Sequence, residues 1–211
     1  MSLSNLDYLI FQKINELGYT LTFLNPLMIF FASYAQYIFF LGVILYWFTR
    51  GKAQRMMTLQ ACISAIMALI CSGVIGHFFY RDRPFVHHAV LQLIPHPANA
   101  SFPSDHAIGA FVIATSIWIF RKKEGGAWLI LASGIAFSRV WTGVHYLSDV
   151  IGGALIGIAV AYVVHALTQR SIRIQHIFQQ VIIGYQKLEH RLWPSYEKSS
   201  KELFKNKKKG A

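Results

Sequence analysis

Three short polar clusters interrupt an otherwise apolar sequence. Each one stands at the same end, the predicted outward end, of an apolar segment. Ionisable side chains at membrane depth are costly and usually face a polar cavity or a partner, so each cluster is a candidate functional site. Any one alone could be structural, but together they favour a shared site. The clusters are Arg83-Pro84-Phe85, Pro103-Ser104-Asp105-His106, and Ser138-Arg139 with His145 and Asp149.

The third cluster combines a nucleophile with a group that orients it. His145 and Asp149 are four residues apart, which on a helix places them on one face, so the carboxylate can hold one ring nitrogen. The other nitrogen then keeps its lone pair for attack on phosphorus. Arg139 precedes a predicted helix break at Thr142-Gly143 and could fold back over the same pocket, where a guanidinium suits bidentate capture of phosphate oxygens.

The second cluster supplies anion contacts and an acid. Pro103 can start a helix whose free amides favour an anion, and Ser104 adds a hydroxyl donor. His106 is then available as general acid for the leaving group, and Asp105 beside it is counted with the phosphate-binding set. Arg83 contributes a further cation, so the clusters together can neutralise a transferring phosphoryl group.

A metal site is the other chemical interpretation of His106, His145 and Asp149. The two arginines disfavour it, because they would repel a divalent cation while neutralising the same phosphate charge. We therefore predict no metal and no cofactor. The remaining boundary histidines are interpreted as ordinary interfacial residues; they include His87, His88, His165, His176 and His190.

Composition indicates a membrane protein. Of 211 residues, 55% are hydrophobic, and the mean hydropathy is +0.41, too apolar for a soluble domain of this size. The net charge is +11, and the charged residues lie between and after the apolar segments. They therefore indicate membrane topology, and we predict no nucleic-acid partner. Cys62 and Cys71 fall nine residues apart in one predicted helix, which predicts no disulfide. No removable signal peptide is predicted.

The apolar segments predict an all-α bundle of five to six transmembrane helices. Residues 3–33 predict one or two interfacial helices around Pro26, with a sixth crossing left open. Basic residues between the spans fall on one side, which predicts a cytoplasmic side and an outward-facing site. Predicted spans cover about 34–48, 56–80, 104–120, a segment from 127, and 146–168.

Two regions follow from this pattern. Residues 1–170 are predicted to form a membrane-embedded phosphatase domain, and residues 171–211 a cytoplasmic amphipathic helix ending in a basic tail at Lys205 and 207–209. The helix would lie on the inner leaflet, with its basic end near anionic lipids.

The clusters resemble the type 2 phosphatidic-acid phosphatase superfamily, whose third motif is Ser-Arg, five residues, His, three residues, Asp. That motif matches fully here, and the resemblance covers about residues 76–150. Two positions depart from the family pattern. Gly76 stands where the first motif usually begins with Lys, and whether Arg81 or His77 replaces that lysine stays open. Asp105 stands where Gly is usual.

Within that superfamily, the runs Arg83-Pro84-Phe85-Val86 and Ala100 to His106 resemble the bacitracin-resistance type of bacterial undecaprenyl-diphosphatase. The resemblance implies a multi-pass enzyme of the bacterial cytoplasmic membrane that converts undecaprenyl diphosphate to the monophosphate. Its partners would be this polyprenyl diphosphate and membrane lipids; oligomeric state and lipid entry route stay open. Alternatives are a phosphatase for phosphatidylglycerophosphate, phosphatidate or a short prenyl diphosphate, and, less favoured, a transporter or lipid-binding protein.

Overall fold

The computed structural model describes residues 3–49 and 51–192. Within these ranges the chain forms nine α-helices and one short 3₁₀ helix, and the predicted all-α class is confirmed. The helices are α1 (Leu3–Thr20), α2 (Asn25–Ser33), α3 (Gln36–Phe48), α4 (Lys52–Phe78), α5 (Pro84–His87), α6 (Asp105–Phe120), α7 (Lys122–Trp141), α8 (Leu147–Arg170) and α9 (Ile172–Leu192).

Helix α6 lies at the centre of the bundle and packs against α4, α7 and α8. Helix α8 can approach it closely because it carries glycines at the contact. A Cβ at Gly153 would lie 2.7 Å from the Ser104 carbonyl oxygen, and one at Gly157 would lie 2.8 Å from that of Ile108. The two helices therefore begin side by side, and the Ser104 amide donates to the Asp149 carbonyl at 3.1 Å.

Among the described residues, two helices are long and apolar enough to cross a membrane, namely α4 with 27 residues and α8 with 24. About 20 residues at 1.5 Å each cover the roughly 30 Å hydrocarbon core. Residues 22–33 and α3, joined at a bend of 49°, qualify as a third span when taken together.

The predicted count of five to six crossings is not reached by length and composition. Helix α6 has only 16 residues. Helix α7 has 20, and its first turn carries Lys122, Lys123 and Glu124. The span predicted at 34–48 is the 13-residue α3, which is short because the chain bends between α2 and α3.

The N-terminal region is fixed to the helices that carry the polar clusters. It forms α1 and α2, and Pro26 stands in the first turn of α2, where its missing N–H has no role. Phe11 of α1 is buried and meets the Tyr146 ring at 5.4 Å between centroids. The Asn15 side-chain amide donates to the Trp141 carbonyl at 2.8 Å. Helix α1 thus packs against α7 and α8.

Helix α9 docks against the other end of the bundle. Its Phe178 and Ile182 are buried, and Arg55 of α4 donates to Glu189 at 2.7 Å. The helix predicted from the sequence is therefore present. A second set of its apolar side chains forms a stripe that no other described residue covers. The stripe contains Ile177, Val181, Leu188 and Leu192. The predicted basic tail at 205–209 lies outside the described residues.

Candidate active site

The structure brings the three polar clusters together at one end of the bundle. Arg83 immediately precedes α5, Ser104 occupies the N-cap position of α6, Arg139 lies in the last turn of α7, and Asp149 lies in the first turn of α8. His145 occupies the turn between α7 and α8. All five side chains are buried. Residues as far apart as 83 and 149 in sequence therefore lie in one buried polar cluster.

His145 is held by a tight turn, not by a helix face as the four-residue spacing predicted. It precedes α8 by two residues, and its Nδ1 lies 3.5 Å from Asp149 Oδ2. The turn depends on Gly143, whose φ is +80°. A Cβ there would also lie 2.6 Å from the Leu91 carbonyl oxygen, so only glycine fits this position without strain.

Arg83 fixes the tautomer of His145. The Arg83 Nη1 lies 3.0 Å from His145 Nε2, and a guanidinium can only donate. Nε2 is therefore the acceptor, and in the neutral ring the proton sits on Nδ1, facing Asp149. Burial lowers the pKa of His145 to about 4, more than Asp149 raises it. The ring is neutral near pH 7 and carries its lone pair on Nε2.

The guanidinium of Arg83 is also tied to the loops around it. Its Nε donates to Asn99 Oδ1 at 3.0 Å. Its Nη1 and Nη2 donate to the carbonyl oxygens of Val144 at 2.8 Å and Ala100 at 3.1 Å. Arg83 therefore holds the loop before α6 against the turn that carries His145, in addition to the phosphate contact predicted for it.

Arg139 and Ser104 keep buried donors without acceptors. Arg139 Nη1 donates to the Ala32 carbonyl at 2.8 Å, but its Nε and Nη2 have no hydrogen-bond partner within the described part of the chain. The same holds for Ser104 Oγ. Leaving a buried donor unpaired costs about 1–3 kcal/mol, more when it is charged. An anion bound between these groups would remove that cost.

His106 and Asp105 lie at the edge of the polar cluster, in the first turn of α6. His106 is half-buried and, with Asp105, lines a cavity of about 190 Å³ between α3, α4 and α6. Asp105 is exposed and accepts a hydrogen bond from Ser72 of α4 at 2.5 Å. Its predicted place in the phosphate-binding set stays a prediction, and its observed contact links α6 to α4.

Three further residues contact the site; the sequence analysis gave no role to Ser101 and His96, and it left open whether Arg81 replaces the first motif's lysine. Ser101 donates to Asp149 Oδ2 at 2.5 Å, and the His96 ring centroid lies 6.1 Å from that of His145. Burial lowers the pKa of His96. Arg81 Nη1 lies 3.2 Å from Asp149 Oδ1. The adjacency of Ser101 to the Pro103–His106 motif was the one available signal for it.

In residues 3–49 and 51–192, no three His, Cys, Asp or Glu side chains lie close enough together to bind a metal ion. Independence of the reaction from metals stays a prediction, which chelation can test.

Comparison with known protein families identifies the class to which this fold and site belong. Residues 57–173 match the PAP2 superfamily, and the chain belongs to this family. The matched range contains all three polar clusters and most of α4 together with α5 to α8, so the resemblance inferred from the motifs is confirmed.

Individual relatives agree with this placement. "Bacitracin transport permease protein BcrC" of Bacillus licheniformis is 39% identical over 95% of this chain and 97% of its own length. "Undecaprenyl-diphosphatase BcrC" of Bacillus subtilis (strain 168) is 34% identical over 74% of this chain and 81% of its own. The crystal structure of Aquifex aeolicus LpxE superposes with a TM-score of 0.63 at 27% identity, covering 76% of this chain and 95% of that one.

Proposed function

We propose that this protein is an undecaprenyl-diphosphate phosphatase that releases the terminal phosphate and leaves undecaprenyl monophosphate. One observation carries the proposal: Ser104 and Arg139 keep buried donors that have no acceptor among the described residues, and they lie in the same polar cluster as a neutral His145. Phosphoryl oxygens would supply the missing acceptors. The choice of lipid is supported by the name of the Bacillus subtilis relative, an undecaprenyl-diphosphatase.

In the first step, His145 Nε2 forms a bond to the terminal phosphorus. The bond from phosphorus to the bridging oxygen breaks, and that oxygen takes a proton from His106 as undecaprenyl monophosphate leaves. Arg83 releases the Nε2 lone pair when its Nη1 turns to a phosphoryl oxygen. Two arginines then balance the charge on the transferring group, where most catalysis of this reaction arises.

In the second step, water attacks the phosphohistidine and the N–P bond breaks. The attacking water gives its proton to solvent water, and the neutral His106 takes a proton from solvent before the next cycle. His145 regains its lone pair, and inorganic phosphate leaves. A pocket at the outer headgroup level supports this step, because water can reach it from outside the membrane.

The 190 Å³ cavity beside His106 is the proposed start of the lipid path. His106 must touch the leaving oxygen, so the chain attached to that oxygen must depart on the His106 side. The cavity lies between α3, α4 and α6 and is apolar apart from its polar end, which suits a membrane-dissolved chain. Its apolar lining includes Phe39, Phe40, Leu69 and Ile113.

We further propose that α6 and α7 also cross the membrane and that the site faces outward from the bacterial cytoplasmic membrane. Helix α6 is short, but it is enclosed by α4, α7 and α8, so it need not match the lipid thickness alone. Residues 1–170 would then form the membrane domain. Residues 171–211 would lie at the cytoplasmic face, with the exposed apolar stripe of α9 in the inner leaflet.

The lipid assignment is tested by phosphate release from purified protein across a lipid panel. Undecaprenyl diphosphate should show the highest kcat/KM, and a short prenyl diphosphate should show a raised KM because it fills less of the apolar cavity. A preference for phosphatidylglycerophosphate or phosphatidate would overturn the lipid assignment and leave the phosphatase chemistry standing.

Transport is a second candidate, supported by the name of the Bacillus licheniformis relative, a transport permease protein. A transporter places ionisable groups near the middle of its spans. Here the buried charged side chains lie near helix ends, with Arg139 and Asp149 at one end and Arg55 at the other. This favours the enzyme. If a His145→Ala variant still protected cells against bacitracin as well as the unaltered protein, transport would be preferred.

A further inference from the structure

We infer that Asp7, on the N-terminal helix α1, is a positioning residue for the nucleophile, acting through Arg81 and Asp149 on His145. The inference rests on the role proposed above for His145, and it extends the machinery beyond the matched family range, which begins at residue 57. It assigns α1 a part in catalysis and not only in packing.

Asp7 fixes the first turn of α8. Its Oδ1 accepts the Ser148 amide at 3.0 Å, and its Oδ2 accepts the Ser148 hydroxyl at 2.5 Å. The first amides of a helix have no partner within the helix, and a carboxylate there also complements the helix dipole. Asp149 is the next residue of that turn, so its place depends on this cap.

Arg81 joins Asp7 to Asp149. Its Nη2 lies 2.7 Å from Asp7 Oδ2, and its Nη1 lies 3.2 Å from Asp149 Oδ1 and donates to Ser148 Oγ at 2.7 Å. The guanidinium carbon stands 3.7 Å from the centre of the Tyr146 ring. Arg81 is therefore held on several sides between two carboxylates, and it is not free to act as a substitute for the family's lysine on phosphate.

Asp149 passes this constraint to the nucleophile. Its Oδ2 accepts the Ser101 hydroxyl at 2.5 Å and the Tyr146 amide at 2.8 Å, and the same oxygen faces His145 Nδ1 at 3.5 Å. Because Arg81 also holds Oδ1, the Asp149 carboxylate is fixed in its orientation. The direction of the His145 ring is then set by a chain of contacts that starts at Asp7.

A purely structural role for Asp7 makes a different prediction. Helix α1 has a second anchor at Asn15, which bonds the Trp141 and Leu91 carbonyls outside the charged chain of contacts. If Asp7 only docks the helix, loosening either anchor should reduce activity in proportion to stability. If Asp7 positions His145, its loss should reduce turnover more than stability explains.

The test compares Asp7→Asn with Asn15→Ala and with Glu16→Gln, which removes the same charge from an exposed pair on the same helix. Asp7→Asn should lower kcat roughly 10- to 100-fold, as small misplacements of a reacting group do, with KM within about twofold. Glu16→Gln should match the unaltered protein. Asn15→Ala should lower the thermal midpoint at least as much as Asp7→Asn but lower kcat far less, and Asp7→Glu should restore part of the lost kcat.

An unchanged kcat in Asp7→Asn, or a kcat that merely tracks the thermal midpoint across these variants, would overturn the inference. If Asp7→Asn cannot be isolated folded, Ser148→Ala serves instead, since it removes the hydroxyl that both Asp7 and Arg81 contact; it must also lower kcat. All assays use whichever lipid phosphate the unaltered protein hydrolyses fastest. A wrong lipid assignment would then show in the unaltered protein, separately from the result at Asp7.

Discussion

The Nη1 atom of Arg83 donates to the Nε2 atom of His145 across 3.0 Å. This contact places the ring proton on Nδ1 and keeps the lone pair on the nitrogen that faces the cationic pocket. The same guanidinium nitrogen also bonds the Val144 carbonyl. Substrate binding must therefore exchange a contact between protein groups for one to a phosphoryl oxygen, which frees the nucleophile only when phosphate is present.

The unpaired hydroxyl of Ser104 predicts opposite effects on stability and activity. Ser104→Ala removes a buried donor that has no acceptor within the described residues. Without bound phosphate, the variant should be as stable as the unaltered protein, or its free energy of unfolding should rise by about 1 kcal/mol. Activity should fall about 10²-fold if the hydroxyl contacts charge that develops in the transition state. Phosphate release and thermal unfolding in detergent measure the two effects.

Ser116 provides the matched control on the same helix. It is buried like Ser104, but its hydroxyl already donates to the Val112 carbonyl at 2.7 Å. Ser116→Ala should therefore lose a little stability and keep full activity. A loss of both stability and activity in Ser104→Ala would show that the hydroxyl is structural and would remove it from the phosphate site.

Chelation tests whether arginines, and not a metal ion, neutralise the charge of the phosphate. Arg83 and Arg139 supply the positive charge in the proposed mechanism, so excess EDTA should leave kcat unchanged. The measurement is phosphate release with and without chelator. Loss of activity that one divalent ion specifically restores would refute the mechanism.

The polar clusters could be found from the sequence because each breaks an apolar segment at the same end. Their residues then meet for a simple reason. When neighbouring helices run antiparallel, the C-terminal end of one lies beside the N-terminal end of the next. The structure brings together five residues that the sequence singled out in this way, and their roles stay predictions: Arg83, Ser104, Arg139, His145 and Asp149. The i,i+4 geometry was wrong in one respect, because the chain turns at Gly143 and places His145 before the helix.

Contacts across long sequence separations could not be found in the same way. Asp7 meets Ser148 across 141 residues, and its position in an amphipathic N-terminal segment gave no sign of that partner. The bend between α2 and α3 was also missed, since no proline or glycine stands at Tyr34-Ala35 to mark it. Ser101 was passed over because a serine near a motif is usually an ordinary loop residue.

Orientation in the membrane can be measured by single-cysteine labelling. Cys62 and Cys71 are both exposed and would first be replaced. A cysteine replacing His87, which is exposed beside the site, should react with an impermeant maleimide in intact cells. One replacing the exposed Lys187 of α9 should react only after the cells are opened. The reverse pattern would place the site in the cytoplasm.

The central claim is that His145 forms the covalent bond to phosphorus while His106 only protonates the leaving group. The most direct test compares turnover by His145→Ala and His106→Ala on undecaprenyl diphosphate and on an aryl phosphate whose leaving group needs no proton. His145→Ala should be inactive on both, because no phosphohistidine can form. His106→Ala should lose about 10²–10⁴-fold on the lipid and recover much of that on the aryl phosphate. Recovery by His145→Ala, with His106→Ala inactive on both, would contradict the assignment and make His106 the nucleophile.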